Sequence, residues 1–119
     1  MLIRQGGIPL DYTLCNQTVT VYHRENQERT VVENAYYDYR EEETVDNGQI
    51  DRCVRFSLII PGKAQIQPGD KVLPGRGPEL EGTEQWMLLT AGALPGLGIV
   101  KSVTPKYWMG TVCHTEIKG

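Results

Sequence analysis

Cys113 and His114 are the only adjacent pair drawn from histidine and cysteine in the sequence, and a metal site needs its ligands clustered. Neighbours on a strand point to opposite faces, so this pair chelates jointly only at a bulge. His23 would have to arrive from another strand, and the pair is read as ordinary strand residues. A thiol nucleophile needs an imidazole in reach. His23 or His114 beside Cys53 would supply one, yet Cys53 sits opposite the apolar face of a regular strand, without the strained turn that presents a nucleophile. Cys15 and Cys113 read as plain small residues. Glu41-Glu42-Glu43 offers carboxylates, which glycoside hydrolysis uses as a facing pair; a charge run ahead of Asp46-Asn47-Gly48 is expected to be a solvated loop instead. Pro74-Gly75-Arg76-Gly77-Pro78 lacks the Lys-Ser/Thr pair and the following helix of a phosphate loop. No catalytic residue, metal ligand or cofactor-binding residue is expected.

The wider composition narrows the classes further. The 119 residues carry a net charge of −3, which removes the usual electrostatic argument for tight nucleic-acid binding. The charge is uneven: residues 1–60 hold 6 Arg against 10 acids, and residues 61–119 hold 6 bases against 5 acids. Tyr36, Tyr37 and Tyr39 with Arg24, Arg29 and Arg40 would suit base stacking. Tyrosines alternating along a strand are more simply core-edge residues whose hydroxyls reach water. Three cysteines without a CxxC cannot all pair, so free thiols and a reducing, intracellular place of folding are expected. No apolar run is long enough for a transmembrane helix, and the start, MLIRQGGIPLDY, does not read as a secretory signal.

The elements that position these residues are strands. With 13 Gly and 7 Pro punctuating β-branched runs, the chain reads as one all-β domain over 1–119, a small barrel or sandwich of about seven mainly antiparallel strands. Residues 17–24 alternate, with Val19, Val21 and His23 on one face and Thr18, Thr20, Tyr22 and Arg24 on the other. Residues 29–40 form a second strand, with Val31, Ala35, Tyr37 and Tyr39 sharing one parity. Residues 49–61 are the clearest half-buried strand: Ile50, Val54, Phe56, Leu58 and Ile60 face one way, and Pro61-Gly62 ends it. Residues 66–73 read as a Pro-Gly turn feeding a short strand, and further strands are expected at 84–90, 97–105 and 111–118, with no long helix and with residues 107–110 as the tip of a final hairpin. Buried positions should include Val19, Val21, Val54, Phe56, Leu58, Ile60, Leu88, Ile99 and Val103. Residues 1–15 read as an extended arm and 74–82 as a mobile surface loop, since the latter holds three glycines and two prolines.

Three stretches carry a family resemblance: TVTVYHR with the tyrosine-rich strand after it, IQPGDKVLPG in the middle, and the closing IVKSVTPKYWMGTVCHTEIKG. In the last, Val100, Ser102, Val103 and His114 follow a V-x-S-V strand, a hairpin tip and a His-bearing strand. This order resembles the small structural proteins of tailed phages and prophages that complete or join the head, including stopper-like and minor capsid proteins. The resemblance implies a non-enzymatic joining or head-completion subunit at the head–tail connector, without cofactors. It implies portal or adaptor and tail-side proteins as partners, ring assembly of identical subunits, genomic DNA passing without tight binding, and no membrane. It also implies location in the virion or, during assembly, in the bacterial host cytoplasm. Protein-binding positions expected on this basis are Gly6, Gly7 and Pro9 in the arm, Arg76, Glu79 and Leu80 in the loop, and Tyr107 and Trp108 at the hairpin tip. The rival reading is a small β-barrel module that binds an oligosaccharide, a nucleic acid or a small ligand.

Overall fold

The computed structural model describes residues 14–90 and 93–119. Seven strands and one short helix follow in chain order: β1 Gln17–Tyr22, β2 Arg29–Asp46, β3 Gln49–Pro61, β4 Lys71–Pro74, α1 Thr83–Leu88, β5 Gly98–Ile99, β6 Ser102–Trp108 and β7 Thr111–Lys118. All pairings are antiparallel, and the strand order is β5-β4-β1-β2-β3-β7-β6. The sheet curls around its core without closing. Its two edge strands are joined in sequence only by Val100 and Lys101, and Lys101 N donates to Lys118 O at 2.8 Å. The all-β, barrel-like reading of the sequence is therefore correct.

The main core lies inside the curl. Val19, Val21, Ala35, Tyr37, Phe56, Leu58, Ile60, Ile66, Val72, Val100 and Ile117 pack there. A second, smaller cluster on the outer face joins Tyr22, Leu89 and Leu97, with Leu73, Leu80 and Trp86 against them. β1 is consequently buried on both faces, Val19 and Val21 inward and Thr20 and Tyr22 outward. The alternation along β1 marked its two faces correctly but could not show that both are covered.

Several local expectations change. Residues 84–90 are not a strand: Thr83–Leu88 form α1, and Leu88 is exposed rather than core. The outer edge of β4 is already taken by β5, so this segment has no ladder there, and it is anchored instead by Trp86. The Lys71 ammonium sits 4.1 Å from the Trp86 ring centroid and donates to the Trp86 carbonyl. The 97–105 run is split into β5 and β6 at Val100-Lys101. In β2 a bulge shifts the register, pairing Val19 with Val32 and Gln17 with Ala35. Val32, not Val31, therefore packs against the main core, as Tyr39 does. Val54, Ile99 and Val103 are half-buried.

The acidic run is strand, not loop. β2 continues through Glu41, Glu42 and Glu43 to Asp46, and Asn47 and Gly48 make the turn with φ of 50° and 79°. Two successive left-handed residues are what a tight two-residue hairpin turn demands, which is why Asn-Gly is favoured there. The β6–β7 hairpin repeats the device with Met109 and Gly110, at φ of 50° and 80°.

Candidate functional site

The β2–β3 hairpin outgrows the domain that carries it. β2 has β1 as its second neighbour only as far as Ala35, and β7 pairs with β3 only over Ser57–Pro61. Gly119 exchanges both backbone hydrogen bonds with Phe56, each at 3.1 Å. Beyond these points the hairpin is a two-stranded ribbon, paired in register from Arg40 with Arg55 out to Asp46 with Gln49. Its core-side face keeps the alternation that buries Tyr37, Phe56 and Leu58 further in. Tyr39 and Val54 are half-buried, Glu43 and Arg52 form an ion pair at 3.3 Å, and Val45 opposite Ile50 completes the stripe. Val45 is 72% and Ile50 65% exposed. An apolar pair on an otherwise charged, two-stranded projection is the surface feature that sequence reading missed. The signal was present in the strand alternation, but assigning 41–48 to a loop hid it.

At the ribbon's root, Val54, Phe56 and Ile99 line an open cleft of about 520 Å³ with Glu41, Arg52 and Lys101 around it. Tyr39 donates to Glu41 at 3.1 Å beside it. Burial, then that hydrogen bond, raises the Tyr39 hydroxyl above its ordinary range.

The β6–β7 tip lies at the other end of the sheet. β3 and β7 are antiparallel, and each extends past their shared ladder at its own N-terminal side, so the two hairpins point in opposite directions. Tyr107 is 65%, Trp108 38% and Met109 85% exposed at this tip. Arg76, Glu79 and Leu80 belong to a third region, over β1. The 74–82 segment is tied down there: Thr20 donates to Gly75 O at 2.7 Å and accepts from Gly77 N at 2.8 Å, and Tyr22 donates to Pro78 O at 2.8 Å. Arg29 donates to Gly77 O and lies 3.6 Å from Glu79, while Arg76 pairs with Glu33. Leu80 packs in the outer cluster. The expected binding residues are thus split between separate regions of the sheet, and Gly6, Gly7 and Pro9 lie outside the described residues.

A polar cleft of about 570 Å³ opens beside the β1–β2 turn. In it His23 Nε2 meets the Thr30 hydroxyl at 2.7 Å and Nδ1 faces Asp70 Oδ2 at 3.4 Å. The Asp70 carboxylate is buried and accepts from Arg24 N at 2.8 Å and Gln67 N at 2.9 Å. This line of hydroxyl, imidazole and carboxylate clamps the end of β1, the start of β2 and the turn before β4 together. His23 and Thr30 meet across the β1–β2 turn, and Asp70 arrives from a distant segment that only the fold brings to them. Among the described residues no group of three or more His, Cys, Asp or Glu side chains could hold a metal ion. Cys15 is buried, Cys53 and Cys113 are half-buried, and all three are free thiols. Burial raises the Cys15 thiol above its usual range. No helix among the described residues is long and apolar enough to cross a membrane.

With this geometry in view, no protein-family model, curated protein or solved structure matches the chain.

Proposed function

We propose that the protein is a non-enzymatic structural subunit of a tailed phage or prophage, acting at the head–tail connector as a joining or head-completion subunit. The observation that carries this reading is the projecting β2–β3 ribbon, with Val45 and Ile50 exposed on its core-side face. A two-stranded ribbon alone in water is marginally stable. One that extends from a well-packed body, with apolar residues patterned for burial, suits contact with another protein. The resemblance of the three sequence stretches to joining proteins supplies the setting. Portal-side or tail-side proteins are the expected partners, in the virion or in the host cytoplasm during assembly. The carboxylates at 41–43 support DNA sliding past rather than sticking, because like charges repel.

Deleting the gene from an inducible prophage tests the reading. Heads that fail to join tails, or that lose DNA, are expected; normal infectious particles would overturn it. The cleft at His23, Thr30 and Asp70 favours a second reading, a β-barrel module for a small polar ligand. That reading requires a ligand whose binding disappears in Thr30→Ala without loss of fold.

A further inference from the structure

We propose that Asn47-Gly48, at the tip of the ribbon, is a modification site at which the chain reacts with itself and with water, turning the asparagine into aspartate or isoaspartate. The site stands independently of the joining role, and only its consequence for docking rests on that reading.

The reaction is complete within the turn. The Gly48 backbone nitrogen attacks the Asn47 carboxamide carbon, Cγ. The N–Cγ bond forms, the Cγ–Nδ2 bond breaks, and the amide proton leaves with Nδ2 as ammonia. The product is a cyclic imide whose nitrogen is bonded to both carbonyl carbons of residue 47. Water then opens the ring. Hydroxyl on Cγ and hydrogen on nitrogen give aspartate in an unchanged main chain. Hydroxyl on the main-chain carbonyl carbon gives isoaspartate, whose main chain runs through Cβ and Cγ and is one methylene longer.

Sequence and structure single out this asparagine. The chain has four, Asn16, Asn26, Asn34 and Asn47, and only Asn47 precedes a glycine, so only there does no side chain shield the attacking nitrogen. The Asn47 carboxamide has no hydrogen-bond partner among the described residues, and Gly48 N makes none of the turn and loop backbone bonds. Asn26 is engaged by contrast: its Oδ1 accepts from Glu28 N at 3.0 Å and its Nδ2 donates to Glu28 Oε2 at 3.3 Å. Asn34 lies within β2 and precedes Ala35, which is fully buried. Asn47 and Gly48 are both exposed, and a Cβ built on Gly48 would meet nothing within 4 Å. Ring closure also requires the peptide between the two residues to rotate. A two-stranded ribbon without a third strand is marginally stable, so it can open locally and permit this while the body stays folded.

The two products affect the ribbon differently. Aspartate adds a negative charge to residues 41–51, which already hold five acids and no base. Isoaspartate lengthens a turn whose two residues match the strands they join, and the nearest pairs, Asp46 with Gln49 and Val45 with Ile50, lose their register first. If the ribbon docks on another protein, as proposed above, this reaction limits how long it can do so.

The test incubates the whole chain in warm, neutral buffer beside a linear peptide of residues 43–52. Peptide mapping by mass spectrometry, with fragmentation that separates aspartate from isoaspartate, follows each asparagine. Asn47 should convert in the protein at no less than about a tenth of its rate in the peptide, because a locally opening ribbon protects little. Asn16, Asn26 and Asn34 should remain amides over that time. Conversion should quicken in alkaline buffer, since the attacking nitrogen must lose its proton. Slower conversion of Asn47 than that, or earlier conversion of another asparagine, overturns the site. Asn47→Asp carries the added charge without the longer main chain. Amides from Glu43 to Arg52 should exchange as in wild type in that variant, and at least about tenfold faster in the isoaspartyl fraction, as expected when a turn is lost and its strands fray. Equal exchange in the two overturns the effect on register. These rates bear on this site alone, whereas the gene deletion bears on the joining role alone.

Discussion

The two halves of β3 follow one alternation and meet different surroundings. From Phe56 to Ile60 the inward residues are buried among Tyr37, Val72 and Ile117. From Ile50 to Val54 the same face looks onto water or an open cleft. Apart from Arg52, which pairs with Glu43 across the ribbon, both halves present large apolar side chains on this face. What changes is the number of neighbouring strands: the inner half has β2 on one side and β7 on the other, and the outer half has β2 alone. Alternation therefore specifies which face a side chain takes, and the ladder on either side determines whether that face becomes core.

Truncation separates the halves most strongly. Phe56 is 3% exposed, and its ring sits against Gly98 and Gly119, where added Cβ atoms would strike it. Phe56→Ala should cost about 3–5 kcal/mol in a urea titration, the sum of lost burial and a cavity. Ile50→Ala should stay within about 0.5 kcal/mol for the isolated chain, as expected of an exposed site. Equal losses at the two positions would erase the distinction between body and ribbon.

The next effect concerns a polar group that the body encloses. Thr20 is fully buried, and its hydroxyl serves both Gly75 O and Gly77 N. Thr20→Val keeps the shape but leaves both backbone groups without that partner, at a cost of about 1–3 kcal/mol. Hydrogen exchange should show Gly77 N losing protection first. If only global stability falls, with residues 74–82 unaffected relative to the rest, the hydroxyl is not what ties that segment to β1.

How much of this was legible depends on whether the deciding forces were local. Val19, Val21, Phe56, Leu58 and Ile60 could be read because a period of two records a face directly. The Asn47-Gly48 and Met109-Gly110 turns sit where hairpins were marked, the first by an Asp-Asn-Gly signal. α1 was hidden because its state depends on β5 occupying the edge of β4 and on Lys71 holding Trp86, both of which are tertiary facts. The Glu41–Asp46 strand was hidden for the opposite reason. Carboxylates on either face of a free ribbon remain in water, so strand formation there required no burial of charge. The His23–Asp70 clamp joins residues from separate segments, and no spacing rule reaches across that separation.

Alkaline pH acts on the body through a buried phenol. Tyr37 donates to Gly96 O at 2.6 Å, and burial, with Tyr39 nearby, pushes its hydroxyl well above the ordinary value. Below about pH 10 the phenol is protonated in folded and unfolded chains alike, and its contribution is fully present. Above that the unfolded chain ionises first, so stability is lost as pH rises toward the folded value. Lys71 works with the opposite sign: burial lowers its ammonium below the usual range, so it adds stability as pH climbs toward about 10.4, its unfolded value. Comparing Tyr37→Phe with wild type isolates the phenol. The advantage of wild type at pH 8 should shrink steadily between pH 9 and 11, and a constant difference would show that the Tyr37 hydroxyl reaches solvent.

The smallest effect bears most directly on the ribbon's independence. Gly48 has φ of 79°, and an added Cβ would meet nothing within 4 Å. Gly48→Ala therefore introduces backbone strain without a clash, about 1–2 kcal/mol for an L-residue in the left-handed region. Where that strain is felt depends on how the ribbon is coupled to the body. A ribbon that opens locally, below the global unfolding energy, absorbs it alone. Amides from Glu43 to Arg52 should then exchange faster by about five- to thirtyfold, the factor that 1–2 kcal/mol represents. The urea midpoint should not move, because the transition reports the body, where Phe56 and Leu58 are packed. A midpoint that shifts with the exchange rates would mean that ribbon and body unfold as one unit. The contrast between the two halves of β3 would then be one of exposure alone.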